Sequence, residues 1–580
     1  MSYPSIKDED FNQKINKKYK RYKVPKKKKT FEEICYPKEY KLQLPQQFLA
    51  QYINPKSPYK GVLIFHRIGA GKTCTAVNIG EHWKHKKNII VVVPASLIGN
   101  FKDELRSPCA GNAYITDKER QELKLHHPTS QIYRDIIKKS DERINKYYKI
   151  YSYNKFVDLA KQDEMNLRNS ILIVDEVQNM VSEYGTYYEN LYDTIHNAPS
   201  SLRIVLLSAT PMFDKPVEIA LTMNLLRIPM EFPTGTEFEK MFIKCKLNKR
   251  NNRTYCEAYN LYQFKDMIKG YVSYFRGAPP YAFPDSTIRF VKCEMNNFQY
   301  RSYLTVKRKE ENRMKLTIAK RHKMFKYGQI RNLPSSFFIG TRIMSNIAFP
   351  NKGTGEHGFK SFKGKFLNYN NLQKYSIKFY KIMRKIQRSP GPVFFYSNFK
   401  GYGGIQSFIK VLEYHGYSDY AEYGEGRKRF AVWTGDVKQD MRQEIKEVFN
   451  QPENVNGSRI RVLLISPSGK EGLSLRAVRQ AHILEPYWNW SRMSQIIGRG
   501  NRYCSHKLLD PEDRKLDVFI YLATHYNEME TIDQYIQKLA MQKDKLISQF
   551  ETAMKEAAVD CELFKNANVY KGEDDIECEV

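Results

Sequence analysis

Nowhere does this chain of 580 residues carry a run of about 18 apolar residues, so no segment is expected to span a bilayer. Its first residues, MSYPSIKDEDFNQK, lack the apolar stretch of a signal peptide. The chain therefore reads as soluble and intracellular. Cysteine is sparse and unpatterned: nine residues, odd in number and without a C-x-x-C pair, predict neither a disulfide framework nor a structural zinc site. Cys245 and Cys256 stand closest together, with no second pair nearby to complete a metal site.

Negative charge is also scarce. Against 95 Lys and Arg stand only 63 Asp and Glu, a net charge of +32, and such an excess points to a polyanionic partner. Nucleic acid is the first candidate and a membrane surface the alternative. Hydrophobic residues make up 41% of the chain, enough for packed domains, and the length calls for more than one core.

The apolar runs come in two series. GVLIFH (61–66), KNIIVVVP (87–94), YKIYSY (148–153), SILIVDE (170–176) and LRIVLLSAT (202–210) form the first. GPVFFYSNF (391–399), RFAVWTG (429–435), IRVLLIS (460–466), QAHILEP (480–486) and LDVFIYLAT (516–524) form the second. Near-continuous apolar strands separated by helical patterns belong to parallel sheets covered on both faces, so the fold class is α/β with two such domains. The expected division is a basic arm over 1–37, a first domain over 38–228, a basic, aromatic and mainly helical region over 229–390, a second domain over 391–530, and a helix with an acidic tail over 531–580. The arm's KKYKRYKVPKKKK (17–29) is expected to have little structure of its own, serving as a localisation signal, a DNA-backbone contact or a solvated tail.

Chemistry enters at HRIGAGKTCTAV (66–77). Gly69 and Gly71 let a backbone approach phosphate oxygens, Lys72 supplies charge to them, and the Thr73 hydroxyl suits Mg²⁺. The strand before and helix after are the context such a loop requires. A second strand ends in Asp175 and Glu176, where one carboxylate can hold Mg²⁺ and its neighbour can deprotonate the attacking water. A third ends in Ser208, Ala209 and Thr210, whose hydroxyls could bond the acidic cluster and transmit nucleotide state. In the second series, SQIIGRGNRYCSH (494–506) holds Gln495, Arg499 and Arg502; helical spacing would put the arginines on one face, ready to neutralise a γ-phosphate. Just before it, SGKEGLSL (468–475) sets Gly472 in a loop suited to sense nucleotide or strand backbone.

GxGKT, DExx, SAT and QxxGRxxR in this order resemble the superfamily 2 helicases and translocases over residues 38–524. LLSATPMFDKPVEIALTMNLLRIP (206–229) and EGLSLRAVRQAHILEPYWNWSRMSQIIGRGNRYCSH (471–506) more narrowly resemble the helicase-like transcription proteins of large cytoplasmic DNA viruses, poxvirus nucleoside triphosphatase I and the early transcription factor small subunit among them. The Trp488-Asn489 pair is the specific part. The resemblance implies two RecA-like domains in tandem, ATP and Mg²⁺ as cofactors, and a nucleic-acid-dependent ATPase. It implies that Gln47 reads adenine, Gln46 being the alternative register, and that VVVPASLIGNF (91–101) makes the first strand contact. Gln178 stands where many relatives carry His or Asp, so its coupling to Gln495 is a departure, as is His66 at the first glycine of the loop.

By the same resemblance the partner is double-stranded DNA in viral transcription, with a viral RNA polymerase or a transcription-factor subunit alongside. The setting it implies is the host cytoplasm, in the viral factory, or the virion. The alternatives are an ATP-dependent RNA helicase and a promoter- or polymerase-binding subunit whose ATPase is a release switch. The basic stretch 306–331 is either an added nucleic-acid contact or a helical brace.

Overall fold

The computed structural model describes residues 3–126, 130–182, 185–248, 253–321, 336–467, 473–570 and 573–579. Two compact units result, one of Met1–Pro280 with Lys545–Val580, the other of Tyr281–Asp544.

The first unit is built on a six-stranded sheet. Its strands in chain order are β1 (Gly61–His66), β2 (Asn88–Val93), β3 (Tyr148–Ser152), β4 (Ser170–Val174) and β5 (Arg203–Ser208), then, after an antiparallel hairpin of β6 (Ile243–Asn248) and β7 (Arg253–Ala258), β8 (Val272–Phe275). Their spatial order is β3-β2-β4-β5-β1-β8, and each recorded pair is parallel. All six residues of β1 and all five of β4 are buried, as a sheet covered on both faces demands.

The second unit holds β9 (Asp285–Glu294), β10 (Val393–Tyr396), β11 (Ser418–Asp419), β12 (Arg429–Trp433), β13 (Val462–Ile465), β14 (Gln480–Ile483) and β15 (Lys515–Thr524). These pair in parallel in the order β11-β12-β13-β10-β14-β15-β9. Residues 229–390 thus do not stand as a third body. They divide at Pro280, contributing β8 to one sheet and β9 to the other. Of the basic stretch 306–331, the part to Arg321 lies in a helix, Asn297–Arg321, and the rest lies outside the described residues.

At the amino-terminal end the structure corrects the sequence reading. The basic arm is folded: its helix Phe11–Lys18 buries Phe11 and Ile15, and Tyr19 and Tyr22 follow them into the core. Tyr19 meets Phe48 edge-on at 5.1 Å, and Tyr52 stacks on Tyr59 at 4.3 Å. Aromatics interleaved with lysines allow this, because the rings bury while the ammonium groups stay in water. The acidic tail is tied back, with Glu579 2.7 Å from Lys265 and Asp575 3.1 Å from Lys565. Disulfides join Cys74 to Cys109, Cys245 to Cys256 and Cys561 to Cys578. These overturn the expectation of no disulfide framework, and their sequence separations of 35, 11 and 17 repeat no spacing that would have marked them.

Candidate active site

β4, β5 and β1 are neighbours in the first sheet, so the segments that follow their carboxyl ends emerge side by side, about 5 Å apart. Those segments are the Asp175-Glu176 turn, the Ser208-Ala209-Thr210 turn and the glycine loop. Adjacent parallel strands thereby unite three motifs that the chain separates by more than 100 residues in one case.

The loop leaves β1 with Gly69 at φ 85° and Gly71 at φ 75°, a left-handed conformation open to glycine. Gly71 caps the helix Lys72–Trp83, whose first turn carries Lys72 and Thr73 and whose free backbone N–H groups make an anion-binding end. A side chain at Gly71 would also collide with Gln46, since a Cβ would lie 2.6 Å from its Nε2. Ala70 packs against Gly277 beyond β8, where a Cβ would come within 2.9 Å of Ala70. Gly277 gave no signal in the sequence. Only this close approach reveals its part in seating the loop.

Lys72 Nζ donates to Glu176 Oε1 at 3.0 Å, Gln178 Nε2 donates to Glu176 Oε2 at 2.6 Å, and Ser208 Oγ donates to Gln178 Oε1 at 2.7 Å. The backbone N–H of Thr210 closes the relay on Ser208 Oγ at 3.0 Å. Gln178 suits this middle place because its amide donates at one atom and accepts at the other. Ala209 lies half-buried between the two hydroxyl residues, and the Thr210 Oγ1 is buried without a partner.

Glu176 adopts φ 50°, a left-handed conformation that costs a non-glycine residue about 1 kcal/mol or more. Tyr153, which sequence reading missed, holds it there: its hydroxyl donates to the carbonyls of Asp175 at 2.6 Å and Glu176 at 2.9 Å. Asp175 is buried, and its Oδ1 accepts the Glu176 N–H at 2.9 Å. Burial, and then the charge of Glu176, push its carboxyl up to about 6. A buried acid with so few donors is one whose charged form a divalent cation would stabilise, and Thr73 lies in the first turn of the helix that follows the glycine loop. Asp175 and Thr73 therefore fit Mg²⁺, which would polarise the phosphates when bound.

Of the two consecutive glutamines, Gln46 is the one that reaches the glycine loop. In the helix Leu44–Tyr52, Gln46 accepts the Gln43 N–H at 2.8 Å and directs Nε2 at the carbonyl of Gly71, 3.3 Å away. Gln47 turns instead to the Leu42 carbonyl at 2.9 Å. One residue is 100° of helix, which separates the loop-facing side from its neighbour.

Behind the loop, the buried His66 meets Ser273 Oγ at 3.0 Å, and Ser273 donates to Asp560 Oδ2. Burial pushes His66 down to about 3 and Asp560 up to about 7. His66 thus serves here as a neutral donor, its Nδ1 buried and unpartnered.

In the second unit, Gln495 lies in the helix Trp490–Ile497. The specific Trp488-Asn489 pair anchors that helix: Trp488 is buried, stacking on Tyr487 at 4.0 Å, and Asn489 Oδ1 caps it by accepting the Arg492 N–H at 3.1 Å. Arg499 and Arg502 do not share a helix face, as their spacing had suggested. The helix stops at Gly498, and Arg499 sits in the following turn with Nη1 on the Leu473 carbonyl at 3.2 Å, while Arg502 Nε donates to the Gly498 carbonyl at 3.0 Å. Gly498 ends the helix at φ −62°, within the ordinary helical region. Gly472 lies outside the described residues. Of the stretch 91–101, Ala95, Ser96, Gly99 and Asn100 are exposed just beyond β2.

The SNF2-related domain matches residues 24–339 and the helicase conserved C-terminal domain matches residues 379–504. The chain belongs to the SNF2-related superfamily 2 helicases. As a member of that family it is a nucleic-acid-dependent ATPase. It is 52% identical, over all of its length and 99% of the relative's, to a protein of Acanthamoeba polyphaga mimivirus named for ATP-dependent RNA helicase activity. It is 27% identical, over 87% of its length and 76% of the relative's, to the termination factor NPH-I homolog of African swine fever virus. Among solved structures, the Pyrococcus furiosus Hef helicase domain is similar at 12% identity and a TM-score of 0.42, covering 85% of this chain and 97% of that one. No helix among the described residues is long and apolar enough to cross a membrane.

Proposed function

We propose that this helicase is an ATP-driven DNA translocase of viral transcription, acting in the host cytoplasm or from the virion beside a viral RNA polymerase or transcription-factor subunit. The observation that carries the chemical reading is the relay from Lys72 through Glu176 and Gln178 to Ser208, which ties the phosphate loop to the turn after β5. The likeness to a protein named as a termination factor and the charge of +32 support DNA and transcription.

In this reading ATP lies on Gly69, Gly71, Lys72 and Thr73, with Mg²⁺ on Thr73 and Asp175. Gln46 meets the adenine edge: its second Nε2 hydrogen and second Oε1 lone pair match an acceptor and a donor side by side, the pairing that makes Gln specific for adenine. Phosphate draws Lys72 away from Glu176, and the released carboxylate takes the proton of the attacking water as the oxygen bonds to phosphorus and ADP departs. Arg499 and Arg502 neutralise the charge that develops on the γ-phosphoryl group. Gln178 and Ser208 report the state of Glu176 to the strand-binding side.

The second reading, an RNA helicase, is favoured by the name of the mimivirus relative. ATP hydrolysis measured with no nucleic acid, duplex DNA, single-stranded DNA and RNA, with Lys72→Ala as the blank, separates the two. Stimulation by DNA supports the proposal, and stimulation by RNA alone replaces it with the second reading.

A further inference from the structure

The hairpin of β6 and β7 belongs to neither parallel sheet. It pairs six residues of each strand, from Ile243 opposite Ala258 to Asn248 opposite Arg253, and so is about 20 Å long. An isolated two-stranded ribbon is marginal in water, but this one is fastened at its base and stapled part-way along. At the base, the Tyr259 N–H donates to the Phe242 carbonyl at 2.7 Å and the Ala258 N–H to Gln549 Oε1 at 2.6 Å. Phe242 is itself packed between Phe238 at 5.1 Å and Phe264 at 5.9 Å. Further out, the directly opposed Cys245 and Cys256 are joined by a disulfide.

Much of this stiff element faces solvent. Lys244, Lys246, Tyr255, Glu257 and Tyr259 are all exposed. Opposite residues of an antiparallel pair share a face, so Lys244 with Glu257 and Lys246 with Tyr255 make one polar face. Lys244 lies over the Tyr259 ring at 5.5 Å, and Lys246 is 3.6 Å from Glu257. The strands themselves, residues 243–248 and 253–258, hold three cations and one carboxylate, which complements a polyanion. The opposite face, Ile243 and Cys245 against Ala258 and Cys256, is half-buried except at Cys245, so the polar face is the more accessible.

We propose that the ribbon is a duplex DNA contact that lies in the major groove, its lysines on the flanking phosphates. The B-form major groove, about 12 Å wide, admits a two-stranded ribbon, whereas the A-form RNA groove is too narrow and deep. The inference rests on the nucleic-acid reading above and narrows its substrate to duplex DNA.

The test is fluorescence anisotropy of the full chain on a 30-base-pair DNA duplex and an RNA duplex of the same sequence, across a series of salt concentrations. Each phosphate neutralised contributes about 0.9 to the slope of log K against log salt. The double variant K244A/K246A is expected to flatten the DNA slope by about 2 and to leave the RNA slope and the ATP affinity unchanged. The variant C245S/C256S, which loosens the ribbon without removing charge, is expected to weaken duplex DNA binding while unstimulated hydrolysis stays as in the parent. An unchanged DNA slope, or an equal loss on RNA, overturns the groove assignment. Wild-type binding to RNA alone overturns it while sparing the nucleic-acid reading, and no binding to either duplex overturns both.

Discussion

Lys72 and Glu176, 104 residues apart in the chain, form an ion pair at 3.0 Å. The two residues that the proposed mechanism assigns to phosphate and to the attacking water are thus engaged with each other. Substrate phosphate is the natural competitor for that lysine, so the base becomes available as the nucleotide settles. Glu176→Gln should therefore lower kcat by about 10² to 10⁴ while ATP affinity is kept or tightened. Phosphate release paired with equilibrium binding of a fluorescent ATP analogue checks this, and undiminished turnover would remove Glu176 from the role.

Ser208→Ala takes away the donor on which Gln178 Oε1 depends. Binding of ATP should survive, because Ser208 lies three hydrogen bonds from Lys72. Stimulation by nucleic acid should fall by about fivefold or more, the lower range of ordinary coupling between sites. Equal losses of basal and stimulated hydrolysis would show that the relay only braces the fold.

Gln46→Ala should raise the ATP KM by up to about tenfold, the scale of a lost hydrogen bond, and reduce the preference for ATP over GTP. Gln47→Ala should leave both as they were. The opposite pattern would restore the register that the sequence suggested.

Stability should carry the mark of the buried pair behind the loop. Asp560 has its carboxyl raised to about 7 from 3.8, so between those values the folded chain holds a proton that the unfolded chain has lost. Its stabilisation is complete below 3.8 and is lost as pH rises through 7. His66, lowered from 6.5 to about 3, acts with the opposite sign: its contribution is present above 6.5 and lost as pH falls through 3. The two slopes oppose each other between about pH 4 and 6.5. Asp560→Asn should uncover the His66 slope, so that the variant gains on the parent as pH rises across this window, by an amount on the order of a few kcal/mol. Parallel profiles in thermal or denaturant unfolding would refute it.

How the sequence could be read followed from how each element is buried. The runs at β1, β2, β4, β5 and β13 are apolar nearly throughout because both faces of their sheets are covered, and such runs announce themselves. By contrast β9, DSTIRFVKCE, is an edge strand with mostly exposed or half-exposed positions, and its charges hide it. At four residues, β8 is too short to stand out. The motif residues were legible because phosphate chemistry restricts their types. Which of two consecutive glutamines faces the loop depends on helix phase, and where the helix before Arg499 ends depends on what packs around it, both details that composition does not carry. Gly277 and Tyr153 act only through contact with distant segments, so no local pattern marks them.

The tail that folds back has a consequence in time. The sheet bearing the phosphate loop receives Asp560 on Ser273 and Tyr274, Asn568 on Arg276 and Phe564 on Phe48, all from residues beyond 544. A nascent chain emerging from the ribosome must therefore complete the whole of residues 281–544 before the opening half can close its core. Folding of the first unit is postponed until residues 545–580 have been made, and a product released before them would carry every phosphate-loop residue on an unfinished scaffold.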